Sequence, residues 1–268
     1  MNGDSFDTLL QTITLGCSPR PVELFEACGR ALEVGARPFE VVVGAPDADH
    51  GARLTFERPA DPAPLGDAFG LADHPWGAPD WIGLRWSEKG GLKAKPYHRL
   101  EGRESPALPP WPEGAPAGLR AVMASHWQDR TETYYRYAIA GPWSAFVTAC
   151  LGVLGAPVPA TQIVPRPAEL GFWVSFGWRR EELETVTVGA DSRCWSDDHS
   201  VAERWSVGLS EGDLESYRRS LAAVRSLGPR PHGGWHNMLA WKCDRRGAFQ
   251  RAVSLRVPPP SSPPSIRP

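Results

Sequence analysis

Apolar positions recur along this chain at two spacings, and the order in which the spacings alternate predicts the architecture. From Pro21 to Glu33 the residues Val22, Leu24, Phe25, Cys28 and Leu32 fall at helical intervals, with Glu23 and Glu26 near the start. The period then drops to two. Phe39 to Val43 and Ala52 to Glu57, joined by the turn Ala45-Pro-Asp-Ala-Asp, predict a hairpin, and Trp81 to Trp86 and Leu92 to Arg99, joined through Ser87-Glu-Lys-Gly-Gly, predict a second. Residues 101 to 118, rich in Pro and Gly, form a connector. Arg120 to Gln128 and Thr131 to Ala140 predict a third hairpin, and Trp143 to Leu154 a helix stopped by Gly155 and Pro157. Extended segments follow at Gly171 to Trp178, Glu184 to Ala190 and Ala202 to Leu209, then a helix from Glu211 to Ser226 and a last hairpin of Trp235 to Cys243 and Ala248 to Val257.

Strands arriving as hairpins with helices between the pairs argue for an α+β fold, an antiparallel sheet or barrel with helices outside, and against a doubly wound parallel sheet. Polar residues on the inner face of such a sheet are explained if it closes around a ligand. Residues 1–257 are expected to form a single domain, and the tail 258–268, PPPSSPPSIRP, to be disordered for want of apolar residues.

Strand alternation sorts the polar residues. Lys93, Lys95 and Tyr97 share one face, with Leu92, Ala94, Pro96 and His98 on the other. Thr131, Thr133, Tyr135 and Tyr137 form a row of hydroxyls opposite Glu132, Tyr134 and Arg136, and Arg251 sits among Phe249, Val253 and Leu255. Either these groups coat a solvated sheet face, or Lys, Arg and Tyr from several strands converge on a polyanion, which needs donors from several directions.

Composition narrows the function. With 29 Lys and Arg against 31 Asp and Glu, the 268-residue chain has a formal charge of −2 and lacks the basic field of a nucleic-acid binder. Its longest apolar stretch, Ala145 to Ala160, is broken by Gly and Pro, so no membrane span is expected. The acidic start MNGDSFDTLL is unlike an export signal, and five scattered cysteines (Cys17, Cys28, Cys150, Cys194 and Cys243) fit reduced thiols and a cytoplasmic location. Twelve tryptophans supply flat aromatic surface for packing or for a pocket. There is no DDxxD, GxGxxG, GxxxxGK[ST] or HExxH. Gly208-Leu-Ser-Glu-Gly212 fits a nucleophile elbow, with His232 and His236 downstream, and makes an α/β-hydrolase using Ser210 the alternative enzyme; Ser210 with Asp213 fits a helix N-cap equally well.

GGLKAKPY, HWQDRTETYYRY and HNMLAWKCDRRGAFQRAVSL together resemble the bacterial soluble aromatic prenyltransferases of the ABBA, or PT-barrel, family, over roughly residues 50 to 257. The resemblance implies a closed antiparallel barrel and transfer of an allylic group from a prenyl diphosphate to an aromatic small molecule of indole or phenol type. It implies a prenyl diphosphate site of Lys93, Lys95, Tyr97, Thr133, Tyr135, Arg204 and Arg251. Aromatic walls would come from Trp127, Trp173, Trp205 and Trp241, with Trp81 and Trp86 as further strand tryptophans, and the acceptor's proton would pass to Glu132 or His126, with Glu184 a further base. No required cofactor is implied; magnesium stays open, because Thr55 and Glu57 stand where family members place a metal-binding Asp or a basic residue, and Asp129 where a basic residue is common. The partners expected are the donor and the acceptor alone, bound by a monomer. A noncatalytic barrel binding an aromatic or phosphorylated ligand is the remaining alternative.

Overall fold

The computed structural model describes residues 3–15, 17, 20–44, 51–71, 74–101, 118–127, 129–137, 143–155, 172–191, 210–232 and 234–258. Ten strands run β1 (Arg37–Gly44), β2 (Gly51–Glu57), β3 (Trp81–Ser87), β4 (Gly91–Arg99), β5 (Leu119–Trp127), β6 (Arg130–Tyr137), β7 (Phe172–Arg179), β8 (Glu182–Asp191), β9 (His236–Asp244) and β10 (Phe249–Arg256). Each pairs antiparallel with its chain neighbours, and β10 returns to β1, so the sheet closes as a barrel with no edge strand. The helices are α1 (Gly3–Ile13), α2 (Val22–Glu33), α3 (Ala63–Ala68), α4 (Trp143–Gly152) and α5 (Glu211–Ser226). Among the described residues the predicted hairpins and helices occur in the predicted order. The turn at 45–49, the extended segment 202–209, Arg204, Trp205, Cys194 and the tail from 259 lie outside the described residues.

Two helices go beyond the prediction. In α1, Phe6, Leu9 and Leu10 stand at helical spacing and are buried, and the helix packs on α5. The short α3 spans six residues, fewer than two turns, too few for a period to show.

The core lies outside the barrel, between sheet and helices. Ala52, Leu54 and Phe56 of β2, Ile82, Leu84 and Trp86 of β3, Val186 and Val188 of β8, and Val253 and Leu255 of β10 point outward. They join one cluster with Leu24, Cys28 and Ala31 of α2, Val147, Cys150 and Leu151 of α4, and Tyr217 and Val224 of α5. Phe6 meets Phe56 edge to face at 6.1 Å. Each such Leu, Val or Phe contributes ~1.5–3 kcal/mol by leaving water. Because helices cover the apolar alternates, the polar alternates are turned inward.

Ser210 is the N-cap of α5: its oxygen accepts from the Asp213 N–H at 3.1 Å and its hydroxyl donates to the Asp213 carboxylate at 2.7 Å. His236 is buried against the Tyr217 hydroxyl at 2.8 Å. A closed antiparallel barrel has no parallel strand to carry a nucleophile elbow, so the hydrolase alternative falls. Cys17, Cys28, Cys150 and Cys243 are free thiols, with Cys28 pushed up to about 12 by burial. No helix among the described residues is long and apolar enough to cross a membrane.

Candidate active site

Cross-strand partners point the same way, so a face can be followed around the barrel from the register. Tyr135, Val174, Val188, Trp241 and Arg251 form one continuous row. Val188 and Trp241 are buried among the helix-packed residues, so the whole row faces outward. Thr133 belongs to the same side, opposite Phe176, and Trp86 lies in the outer core.

This corrects several expectations. Thr133, Tyr135 and Arg251 are not on the face of Lys95, because strand parity puts them on the outside of the barrel. Trp241 and Trp86 are outer core and no part of an inner wall. His126 is also outside, bonded through Nδ1 to Thr131 at 2.8 Å, while its carbonyl meets the His74 ring at 3.3 Å. Glu184 is engaged in ion pairs with Arg130 at 3.4 Å and Arg179 at 3.5 Å, at the rim of the hairpin turns.

The inward rows carry the chemistry. Arg53, Arg85 and Lys93 are direct register partners on β2, β3 and β4. Three cations on neighbouring strands ~4.8 Å apart, Lys93 exposed at the end nearest the Gly90 turn, make a positive row of the kind that suits an anion with several oxygens. The next row holds Glu40, Thr55, Gly83 and Lys95, and a third, across the barrel, Tyr134, Ser175, Thr187, Lys242 and Gln250.

Lys95 forms an ion pair with Glu132 and donates to the Tyr134 hydroxyl at 2.9 Å. Its ammonium lies 4.3 Å from the Trp127 ring centre, 4.9 Å from Tyr97 and 5.4 Å from Tyr134. The other Glu132 oxygen accepts from Ser175 at 2.5 Å. Burial by itself would raise the Glu132 pKa; Lys95, its hydrogen bond, Ser175 and nearby Lys242 more than reverse this and hold the carboxyl at about 2. Burial first, then Glu132 and Tyr97, push the Tyr134 hydroxyl well above its ordinary value, so it stays protonated.

Two glycines let aromatic rings lie flat on the inner wall. A Cβ on Gly83 would come 3.0 Å from Cε2 of Tyr97, and one on Gly189 would overlap the Trp173 indole. Tyr134 bridges them, its ring centre 5.9 Å from both Tyr97 and Trp173. The row of Trp173 continues through Gly189, Ala240, Ala252 and Gly44, whose small side chains leave the wall thin.

Glu40 is a second buried carboxylate on the inner face. It accepts from Thr55 at 3.2 Å and from Asn237 at 2.8 Å, and Asn237 in turn accepts from Arg256 at 3.2 Å. Burial pushes its pKa up, with Asn237, Thr55 and Arg256 pulling the other way.

Of the expected site residues, the structure brings Lys93, Lys95, Tyr97, Glu132, Trp127 and Trp173 to the inner side. Sequence reading missed Arg53, Arg85, Glu40, Tyr134 and Lys242. The signal for Arg53 and Arg85 was present in ARLTFE and WIGLRW, where each alternates with apolar neighbours. No three His, Cys, Asp or Glu among the described residues converge as a metal site.

No family model and no curated protein matches the sequence. Solved structures match across nearly the whole chain. The 5-dimethylallyltryptophan synthase from Streptomyces coelicolor is 15% identical, with 94% of this chain and 96% of that chain covered and a TM-score of 0.65. The same enzyme was also solved in complex with DMASPP and Trp. The prenyltransferase PriB in its apo form is 15% identical, with 97% and 99% covered and a TM-score of 0.67. AnaPT from Neosartorya fischeri is 10% identical, with 82% and 78% covered and a TM-score of 0.55. The chain shares their fold, the PT-barrel.

Proposed function

We propose that the protein is an aromatic prenyltransferase, moving an allylic prenyl group from a prenyl diphosphate to an aromatic small molecule of indole or phenol type by electrophilic aromatic substitution. The observation that carries the reading is the inward row Arg53, Arg85 and Lys93 beside a run of aromatic rings in a closed barrel. Structures of the same fold were solved with DMASPP and Trp, and with L-tryptophan and dimethylallyl thiolodiphosphate.

The residues divide the work by charge. Breaking the allylic carbon–oxygen bond puts negative charge on the leaving diphosphate, and the guanidinium and ammonium groups of Arg53, Arg85, Lys93 and Lys242 stabilise that charge more than the ground state. The allylic cation left behind lies against Tyr134 and Trp173, each ring contributing ~0.5–2 kcal/mol of attraction and excluding water. The acceptor ring then attacks, and its proton needs a base. Glu132, held at about 2, is a weak one. Glu40 suits the task better, because burial raises its proton affinity. Among the described residues no three metal-ligating groups converge, and the guanidinium and ammonium groups of the inner face can neutralise the diphosphate's charge.

Incubation with dimethylallyl, geranyl and farnesyl diphosphates and a panel of indoles and phenols tests the reading by mass spectrometry. A product heavier by one prenyl group supports it. Tight diphosphate binding with no product from any pair would favour the noncatalytic binder.

A further inference from the structure

Two of the irregularities in strand pairing lie beside the same carboxylate. Between β1 and β2 the register steps from Pro38 opposite Phe56 to Glu40 opposite Thr55, so Phe39 is an extra residue. Between β9 and β10 it steps from Met238 opposite Ser254 to His236 opposite Leu255, so Asn237 is another. A bulge shifts the alternation by one and re-aims a side chain. The first brings Glu40 inward beside Thr55. The second turns Asn237 inward to meet it, while His236 goes outward to Tyr217.

The contacts so made are unequal. Asn237 donates from its amide nitrogen to Oε2 of Glu40 at 2.8 Å, and its amide oxygen accepts from Nε and Nη2 of Arg256, each at 3.2 Å. Arg256 stands opposite Glu40 in the β1–β10 register and donates through Nη1 to the His232 carbonyl at 2.8 Å. A guanidinium only donates, so the amide cannot turn over without setting N–H against N–H. A proton on Oε2 would therefore weaken a contact that nothing replaces. Oε1 meets the Thr55 hydroxyl at 3.2 Å, and a hydroxyl donates to a carboxylate or, rotated, accepts from a carboxylic acid. Of the groups bearing on Glu40 from β2, β9 and β10, Arg256 is the charged one, and Thr55, Asn237 and Ser254 are neutral.

We propose that Arg256 and Asn237 are positioning residues that hold Glu40 so that the acceptor's proton is taken on Oε1, with Thr55 as the partner that reverses its hydrogen bond. The ring C–H bond breaks, its electron pair restores the aromatic ring, and the proton passes to Oε1 as the Thr55 hydroxyl turns from donor to acceptor. The inference rests on the reading of Glu40 as the base in prenyl transfer.

Two measurements test it. Infrared titration of the free protein, taken as a difference from Glu40→Gln, isolates the Glu40 carboxyl and needs no turnover. Arg256→Gln removes a cation and frees the amide, so it should raise the titration midpoint by ~1 unit or more. Thr55→Val should move it by less than ~0.3 unit, because the bonds lost to the charged and neutral forms offset each other. Asn237→Leu should reproduce the rise and serves if Arg256→Gln does not fold. In turnover of the donor and acceptor pair that yields product, Thr55→Val should raise the isotope effect on kcat at least ~2-fold for an acceptor deuterated at the prenylated carbon, with KM unchanged. Thr55→Ser should restore the parent value. Equal midpoint shifts for Arg256→Gln and Thr55→Val, an isotope effect that Thr55→Val leaves unchanged, or full turnover by Glu40→Gln overturns the inference. Absence of product from every pair, with the midpoint shifts as expected, overturns the prenyl-transfer reading and with it the proton's source.

Discussion

At the scale of single residues, strand parity decides which cations can meet a ligand. Arg53 and Arg85 face inward beside Lys93, whereas Arg251 shares the outer face with Trp241. Replacing Arg53 or Arg85 with Ala should lower turnover by ~10²-fold, the scale of losing one charge-stabilising donor. Arg251→Ala should leave it within about twofold, and steady-state kinetics on the three variants would check the contrast. The two inner carboxylates should oppose each other in acid. Glu132 falls from 4.5 to about 2 on folding, so its contribution is complete above 4.5 and is lost as pH falls towards about 2. Glu40 is raised, so its contribution is present below 4.5 and is lost as pH rises through its folded value. Relative to the parent, the melting temperature of Glu132→Gln should therefore drop as pH rises through the acid range, while that of Glu40→Gln should climb. Slopes of the same sign would contradict the assignment.

At the scale of elements, local signals and tertiary fit play separate parts. The α5 helix starts where Ser210 and Asp213 say it should, and Ser210→Ala should cost ~1 kcal/mol in denaturant unfolding. The same serine should not react with a fluorophosphonate. Gly189 answers to a neighbour rather than to its own strand: the Trp173 indole lies over it. Gly189→Val should push that ring off the wall, costing ~1–3 kcal/mol and altering near-ultraviolet dichroism. Hairpins and the long helices were legible because their periods span enough residues to register. The six-residue α3 was not, whereas Phe6, Leu9 and Leu10 carry the period of α1 in the chain itself. The inner site was half legible. Lys93, Lys95 and Tyr97 stood out together in one strand, but Glu40 gains its meaning only from Thr55 and Asn237, the latter 197 residues away.

For the whole molecule, closure through β1 and β10 concentrates cations that are distant in sequence. A ligand that binds only the closed barrel must stabilise it. Inorganic diphosphate at about 100 times its Kd should add ~2.7 kcal/mol to unfolding, seen as a higher Tm that weakens with salt. No such shift at any concentration would remove the anion site. The alternation of polar and apolar positions determined by itself that this chain makes antiparallel hairpins between helices, because a period is a local property and each strand buries its own apolar side. It could not determine which side is the interior. An apolar row faces whatever covers it, and only the placement of the helices outside turned Lys95 and Arg85 inward and Arg251, Tyr135 and His126 outward. Side chains that meet across a barrel share no local pattern, so the site itself was decided by closure.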